Sequence, residues 1–266
     1  MMNPDETERP ANMALVEQRG PVTILTLNFP RRRNALCRQM RQQLKDRLEE
    51  LNGSDAVRAI VIRGADGHFC AGGDITEMRT RTLLQARHSF ELVNTIFRLM
   101  AGGPKPIVAA VSGVAMGAGL SLASLADYVV ATPQARFGTS FIRMGLLPDV
   151  GGLWGLTRRV GPAKARELIG LARQFDGAQA HTLGLVNELA DPDRVDERAL
   201  AVASEYAALP PMANAFLRAA FARGCESVEQ TIGLEQDLGT ALGCSQDHSE
   251  AVAAFLEKRP ARFTGR

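Results

Sequence analysis

No stretch of this 266-residue chain reaches the roughly eighteen consecutive apolar residues of a membrane-spanning helix, so that class is excluded. Charge of one sign is also missing. Against 29 acidic residues stand 31 basic ones, and a net charge of +2 demands neither nucleic acid nor an anionic membrane as partner. Lysine is scarce, found only at positions 45, 105, 164 and 258. The positive side is therefore nearly all arginine, which suits phosphate contacts, but the skew reads first as compositional bias. Cys37, Cys70, Cys225 and Cys244 form no CxxC pair and no metal spacing, and His68, His88, His181 and His248 have no metal spacing either. Gly117-x-Gly119 lacks the third glycine of a dinucleotide fingerprint, and there is no phosphate-loop lysine pattern. The opening MMNPDETERPAN has no apolar core of a signal peptide. It is expected to be a disordered leader, residues 1–13, ahead of a fold that starts near Ala14, with reduced thiols in a cytoplasmic protein.

What is there is an α/β pattern. Strand-like runs at 13–19 and 22–28 flank the Gly20-Pro21 turn, and the second is apolar enough to be central. Met40, Leu44, Leu48 and Leu51 predict a helix over 37–52. A strand at 57–63 follows, then a long helix with Val93, Phe97 and Met100 on one stripe, a strand at 106–111, a helix to about Leu125 and a strand at 127–132. Beyond Gly152 helical patterns dominate, with one strand-like run at 185–189 and helices expected at 193–208, 211–224 and 227–257. The organisation is thus a core over 14–192 and a helical region over 193–266. Such a helical end packs either on its own core or on another subunit, and an oligomer is expected.

Two segments carry the chemistry: Phe69 to Asp74, FCAGGD, and Val111 to Gly119, VSGVAMGAG. Each is a small-residue turn at or just after an apolar strand-like run, about forty residues apart. Such turns offer a ligand little but backbone N–H, and two of them can aim two amides at one carbonyl oxygen. Asp74, just after the first turn, reads as the cap of the next helix. His68 reads as a surface residue of a loop, Cys70 as small-residue packing and Trp154 as core or lid.

These segments resemble the crotonase family, the enoyl-CoA hydratases and isomerases. So do Asn34-Ala35-Leu36, ARFG (135–138), GLLPDVGG (145–152), LTRRVGPAKARELI (156–169), A-x-x-LGLV (180–186) and the ending AVAAFLEKRPARFTGR. The resemblance spans about 14 to 266. It implies a spiral of ββα units with a C-terminal helical trimerisation region, a homotrimer or homohexamer, and an acyl-CoA substrate. Coenzyme A is then part of the substrate, with no separate cofactor and no metal. The family's oxyanion donors fall on the amides of Gly73 and Ala118. Coenzyme A is expected along Arg31, Arg33, Ala35, Ala71, Gly72 and Ile75, although the arginine triplet also reads as a solvated loop.

The family's hydratases hold their water with two glutamates, and those positions are Ser121 and Phe141 here. Neither is a carboxylate. Asp149 remains, in a Pro-Asp pair resembling that of the ring-epoxide and enoyl-CoA isomerases of the phenylacetate pathway. On spacing alone Asp149 reads as a turn or helix cap ahead of GGLWGL; the family position makes it the acid/base. Burial against Phe141 and Met116 would raise its pKa. The expected activity is a double-bond or ring-epoxide acyl-CoA isomerase. The alternatives are a hydratase with an unusual water site and a non-catalytic acyl-CoA-binding subunit.

Overall fold

The structure, a computed structural model, describes residues 9–78 and 82–266. The chain opens with β1 (Ala14–Arg19) and β2 (Val22–Leu27) as an antiparallel pair, followed by α1 (Arg38–Gly53). The Cys37 sulfur accepts the N–H of Met40 in the first turn, and Met40, Leu44, Leu48 and Leu51 are buried as their spacing predicts. Then come β3 (Ala59–Gly64) and α2 (Leu83–Gly102), whose start is fixed by a capping box between Thr82 and Gln85. Val93 and Met100 are buried on α2, joined by Ile96, while Phe97 turns edge-on to Trp154 at 5.7 Å. Next are β4 (Ile107–Val111), β5 (Val114–Met116), α3 (Ala118–Leu125), β6 (Tyr128–Ala131) and β7 (Arg136–Gly138). The chain continues through α4 (Gly152–Val160), α5 (Pro162–Gly170), β8 (Gln174–Asp176), α6 (Gly177–Thr182) and β9 (Glu188–Leu189). It finishes with α7 (Val195–Ala208), α8 (Pro211–Arg223), α9 (Val228–Gly243) and α10 (Gln246–Glu257).

The large sheet has the order β1-β2-β3-β4-β6-β9, parallel from β2 onward. β2 is buried at every residue, and β1 is the exposed edge. A second sheet, β5-β7-β8, was not expected, because strands of three residues are too short to show an alternation. It makes the repeat visible. In β4-β5-α3 and in β6-β7-α4, the first strand joins the large sheet and the second joins the small one, so the chain winds as a spiral of ββα units. One core lies between the sheets and α1 to α6, and a second lies between the outer face of the large sheet and α7.

Three expectations need correction. Residues 1–8 of the expected leader lie outside the described residues, but residues 9–13 are held. Arg9 pairs with Glu77 at 2.8 Å, the N–H of Met13 donates to Gln43 at 2.7 Å, and the Met13 side chain is fully buried. His68 is half-buried rather than surface-lying. The helix expected over 227–257 is two helices, because the Ser245 hydroxyl accepts the N–H of His248 and starts α10 afresh. Ser245→Ala is expected to lower unfolding free energy by about 1 kcal/mol, read as a shift in the urea midpoint.

Two buried arginines fasten the helices. Arg218 of α8 pairs with Asp127 and donates to the carbonyls of Gly103 and Met100. Arg159 of α4 donates to Ser124 O at 3.0 Å and to Ala126 O, the free carbonyls at the end of α3. Burial lowers both guanidinium pKa values to about 10.

Candidate active site

The first turn is held by side-chain hydrogen bonds that begin in the N-A-L segment. Asn34 is fully buried; its Oδ1 accepts the Phe29 N–H at 2.8 Å and its Nδ2 donates to Ala65 O at 2.9 Å and His68 O at 2.6 Å. The loop after β3 is thereby folded tightly, and the chain then runs beside β5. Cys70 N donates to Val114 O at 2.8 Å and Met116 N to Cys70 O at 2.9 Å, a one-residue parallel bridge. The two turns leave this bridge as neighbours. A Cβ on Gly72, whose φ is +98°, would lie 2.7 Å from Met116 O and 3.5 Å from the Ala118 nitrogen. Gly117, at φ +50° and ψ −120°, anchors its N–H on Gly138 O at 2.8 Å and starts α3. A Cβ on Gly119 would overlap the Cys70 carbonyl, so α3 sits directly on the first turn.

Among the described residues, neither the Gly73 nor the Ala118 N–H has a hydrogen-bond partner. Ala118 also occupies the positive end of α3. The Met78 methyl covers Gly73, 3.0 Å from where a Cβ would stand. Asp74 caps as expected: its carboxylate accepts Thr76 N at 3.0 Å and Thr76 Oγ1 at 2.7 Å.

Asp149 lies on a tight turn ahead of α4. Gly152 N donates to Asp149 O at 2.9 Å, and Val150 and Gly151 follow with φ of +50° and +72°. A buried β-branched residue in the left-handed region costs on the order of 1–3 kcal/mol, the kind of strain that collects at functional sites. Asp149 does not cap α4: Gly151 takes that position and no side chain accepts there. Its Oδ1 is buried with no hydrogen-bond partner among the described residues. Burial raises the Asp149 pKa above the ordinary carboxylate value, offset in part by the Arg41 guanidinium and by its own N–H. Its charge also reaches Cys70, whose thiol burial pushes up to about 12. The loop of residues 145–152 and the first small-residue turn are thus brought together across the sequence.

The two positions where an acid is missing flank this arrangement. Ser121 is fully buried, and a Cβ on Gly152 would overlap its hydroxyl, so the Asp149 turn rests on it. The Phe141 ring ends 3.8 Å from the Cβ position of Gly117.

Of the residues expected along coenzyme A, the backbone of Arg33 accepts Ala71 N at 2.9 Å, and Leu36 N donates to Gly72 O at 2.7 Å. Ala35 is buried beside them, Arg31 and Arg33 are exposed, and Ile75 is 66% exposed. One network was not legible beforehand. Glu77 joins Arg9 to Arg41 at 2.8 and 3.4 Å, and Arg9 also reaches Asp74 at 3.8 Å. Among the described residues no cluster of His, Cys, Asp or Glu could hold a metal ion, and no helix is long and apolar enough to cross a membrane.

Comparison with known proteins agrees with this geometry. The family model described as enoyl-CoA hydratase/isomerase matches residues 17–266. The 1,2-epoxyphenylacetyl-CoA isomerase of Escherichia coli (strain K12) is 35% identical over 254 residues, covering 94% of this chain and 97% of that protein. The crotonyl-CoA hydratase of Syntrophomonas wolfei subsp. wolfei is 32% identical over 251 residues, covering 94% and 96%. The crystal structure of an enoyl-CoA hydratase from Mycobacterium smegmatis superposes with a TM-score of 0.88 at 31% identity, covering 95% of this chain and 99% of that one. An unbroken match of this length, on a ββα spiral that sets two small-residue turns side by side, leaves one conclusion: the chain belongs to the enoyl-CoA hydratase/isomerase family, the crotonases.

Proposed function

We propose that the protein is an acyl-CoA isomerase that moves a double bond, or opens and rearranges a ring epoxide, through an enolate of the thioester. The Gly73 and Ala118 amides hold the developing oxyanion, each donor contributing roughly 3–4 kcal/mol to the transition state. Asp149 takes a proton from one carbon and returns it to another. The carrying observation is the buried, unpartnered Asp149 Oδ1 beside the turns, with Ser121 and Phe141 offering no second acid. A carboxyl kept in apolar surroundings is both a better base when ionised and a competent acid when protonated.

Coenzyme A is read along Arg31, Arg33, Ala35, Ala71, Gly72 and Ile75, and the chemistry needs no further cofactor. Exposed Leu217, Phe221, Ile232, Phe255 and Leu256 on α8 to α10 support a homotrimer or homohexamer, placed in the cytoplasm. The isomerase relative at 35% identity favours the ring-epoxide substrate and phenylacetate breakdown. A second reading, hydration, is favoured by the relative named a crotonyl-CoA hydratase.

Incubation with a panel of acyl-CoA thioesters in deuterated water separates these readings. α-Carbon exchange and double-bond migration without hydration of crotonyl-CoA are expected. Hydration would establish the second reading. Tight binding with no exchange would make the protein an acyl-CoA-binding subunit.

A further inference from the structure

Ser140 stands at the carboxyl end of β7, next to the carboxyl end of its parallel neighbour β5, from which Gly117 and Ala118 leave. Ligands collect at such strand ends in α/β folds. The residue before it, Thr139, is buried and turns into the core, its hydroxyl donating to Leu168 O at 2.6 Å. Ser140, in the turn that follows, sends its hydroxyl toward the Gly117 turn instead. Its Oγ lies 3.5 Å from the Cβ position of Gly117, and that position is also 3.8 Å from Phe141 Cζ and 4.0 Å from Gly72 Cα. A methyl-sized space between the two turns is therefore bounded by two backbones, one aromatic edge and one hydroxyl. Only glycine tolerates the Gly117 backbone, so that space stays clear of protein side chain.

We propose that Ser140 is a substrate-contacting residue that selects acyl groups carrying an oxygen on the second or third acyl carbon. Its hydroxyl has no hydrogen-bond partner among the described residues, and it is only partly exposed. It is the one polar side chain among the three groups nearest that space, the others being the Phe141 ring edge and the Gly72 backbone. In an apolar pocket a single hydroxyl fixes the orientation of a ligand that can pair with it. Gly117 is one residue from the Ala118 amide, so the hydroxyl reaches only atoms close to the thioester carbonyl. An epoxide on a ring attached at the second acyl carbon carries its oxygen on the third, within this reach. The inference rests on the acyl-CoA isomerase reading and narrows its substrate.

Titration calorimetry with butyryl-CoA, 2-hydroxybutyryl-CoA and 3-hydroxybutyryl-CoA tests it on the full-length protein. At least one hydroxyacyl thioester is expected to bind more tightly than butyryl-CoA. Ser140→Ala is expected to reduce that preference about tenfold, the size of one well-made hydrogen bond. No preference in the parent protein, a preference that survives the substitution, or an equal loss for all three ligands overturns the proposal. An equal loss would put the hydroxyl on the carbonyl that all three share. Failure of the isomerase reading looks different: the thioesters bind with the preference intact, yet no α-proton exchanges.

Discussion

Asp149→Asn is expected to reduce the interconversion of 3-enoyl- and 2-enoyl-CoA by about 10²- to 10⁴-fold, the range that general acid–base catalysis supplies. The amide neither accepts nor returns a proton, but it is nearly isosteric, so CoA-ester binding should persist. Unchanged turnover in a folded, ligand-binding variant would remove Asp149 from the mechanism. With Asp149 as the proposed base, kcat/KM of the parent protein should rise with pH through a midpoint above the ordinary value of 3.8.

The same burial has a stability consequence whose sign is fixed. A carboxyl with a raised folded-state pKa holds its proton longer in the native state than in the unfolded one. Between the two pKa values the native state binds more protons, and stability falls as pH rises. Burial of the Asp149 charge thus costs the parent protein stability above pH 3.8, up to the folded-state value, and the Asn variant is spared that loss. The difference in urea midpoint, variant minus parent, should therefore grow from pH 3.5 to pH 7. A difference independent of pH would mean that the carboxyl titrates normally.

Ala118→Pro should cost about 10²- to 10³-fold in kcat/KM, as removal of one oxyanion donor does. The substitution suits the fold, because Ala118 is the first residue of α3, where a helix does not use its N–H and accepts proline readily. The ring closes on the nitrogen where the proton had pointed, so the donor is lost without a helix hydrogen bond being broken. Far-ultraviolet circular dichroism and oligomer size are expected to match the parent protein. A variant that keeps full kcat/KM would show that this amide does not face the carbonyl.

The helices and the large sheet were readable because their signals repeat: Met40, Leu44, Leu48 and Leu51 mark one face of α1, and the apolar runs at 22–27 and 107–111 mark buried strands. The small sheet was not, since Val114–Met116 and Arg136–Gly138 are each shorter than a period of evidence, although they carry Ala118 and Ser140. FCAGGD announced a backbone site through its lack of side chains. Asp149 stands out only through family resemblance, because a lone Pro-Asp shortly before two glycines is also what a helix start looks like. Its nearness to Cys70, 79 positions earlier in the sequence, comes from the spiral winding. Ser140, one serine just past a three-residue strand, carries no signal in the sequence, because its direction is set by the turn after β7.

The bridge between Cys70 and Ala115 has one more consequence. Both proposed oxyanion donors are main-chain groups hung from main-chain hydrogen bonds, so most substitutions leave the pair untouched. Drift can reach it only by bringing proline to a donor position or bulk to Gly72, Gly117 or Gly119. Around that inheritance, positions such as 140, 141 and 149 contribute side chains whose exchange leaves those main-chain hydrogen bonds in place. A lineage can trade one reaction for another here by side-chain exchange alone, keeping the apparatus that recognises the thioester while revising what happens to it.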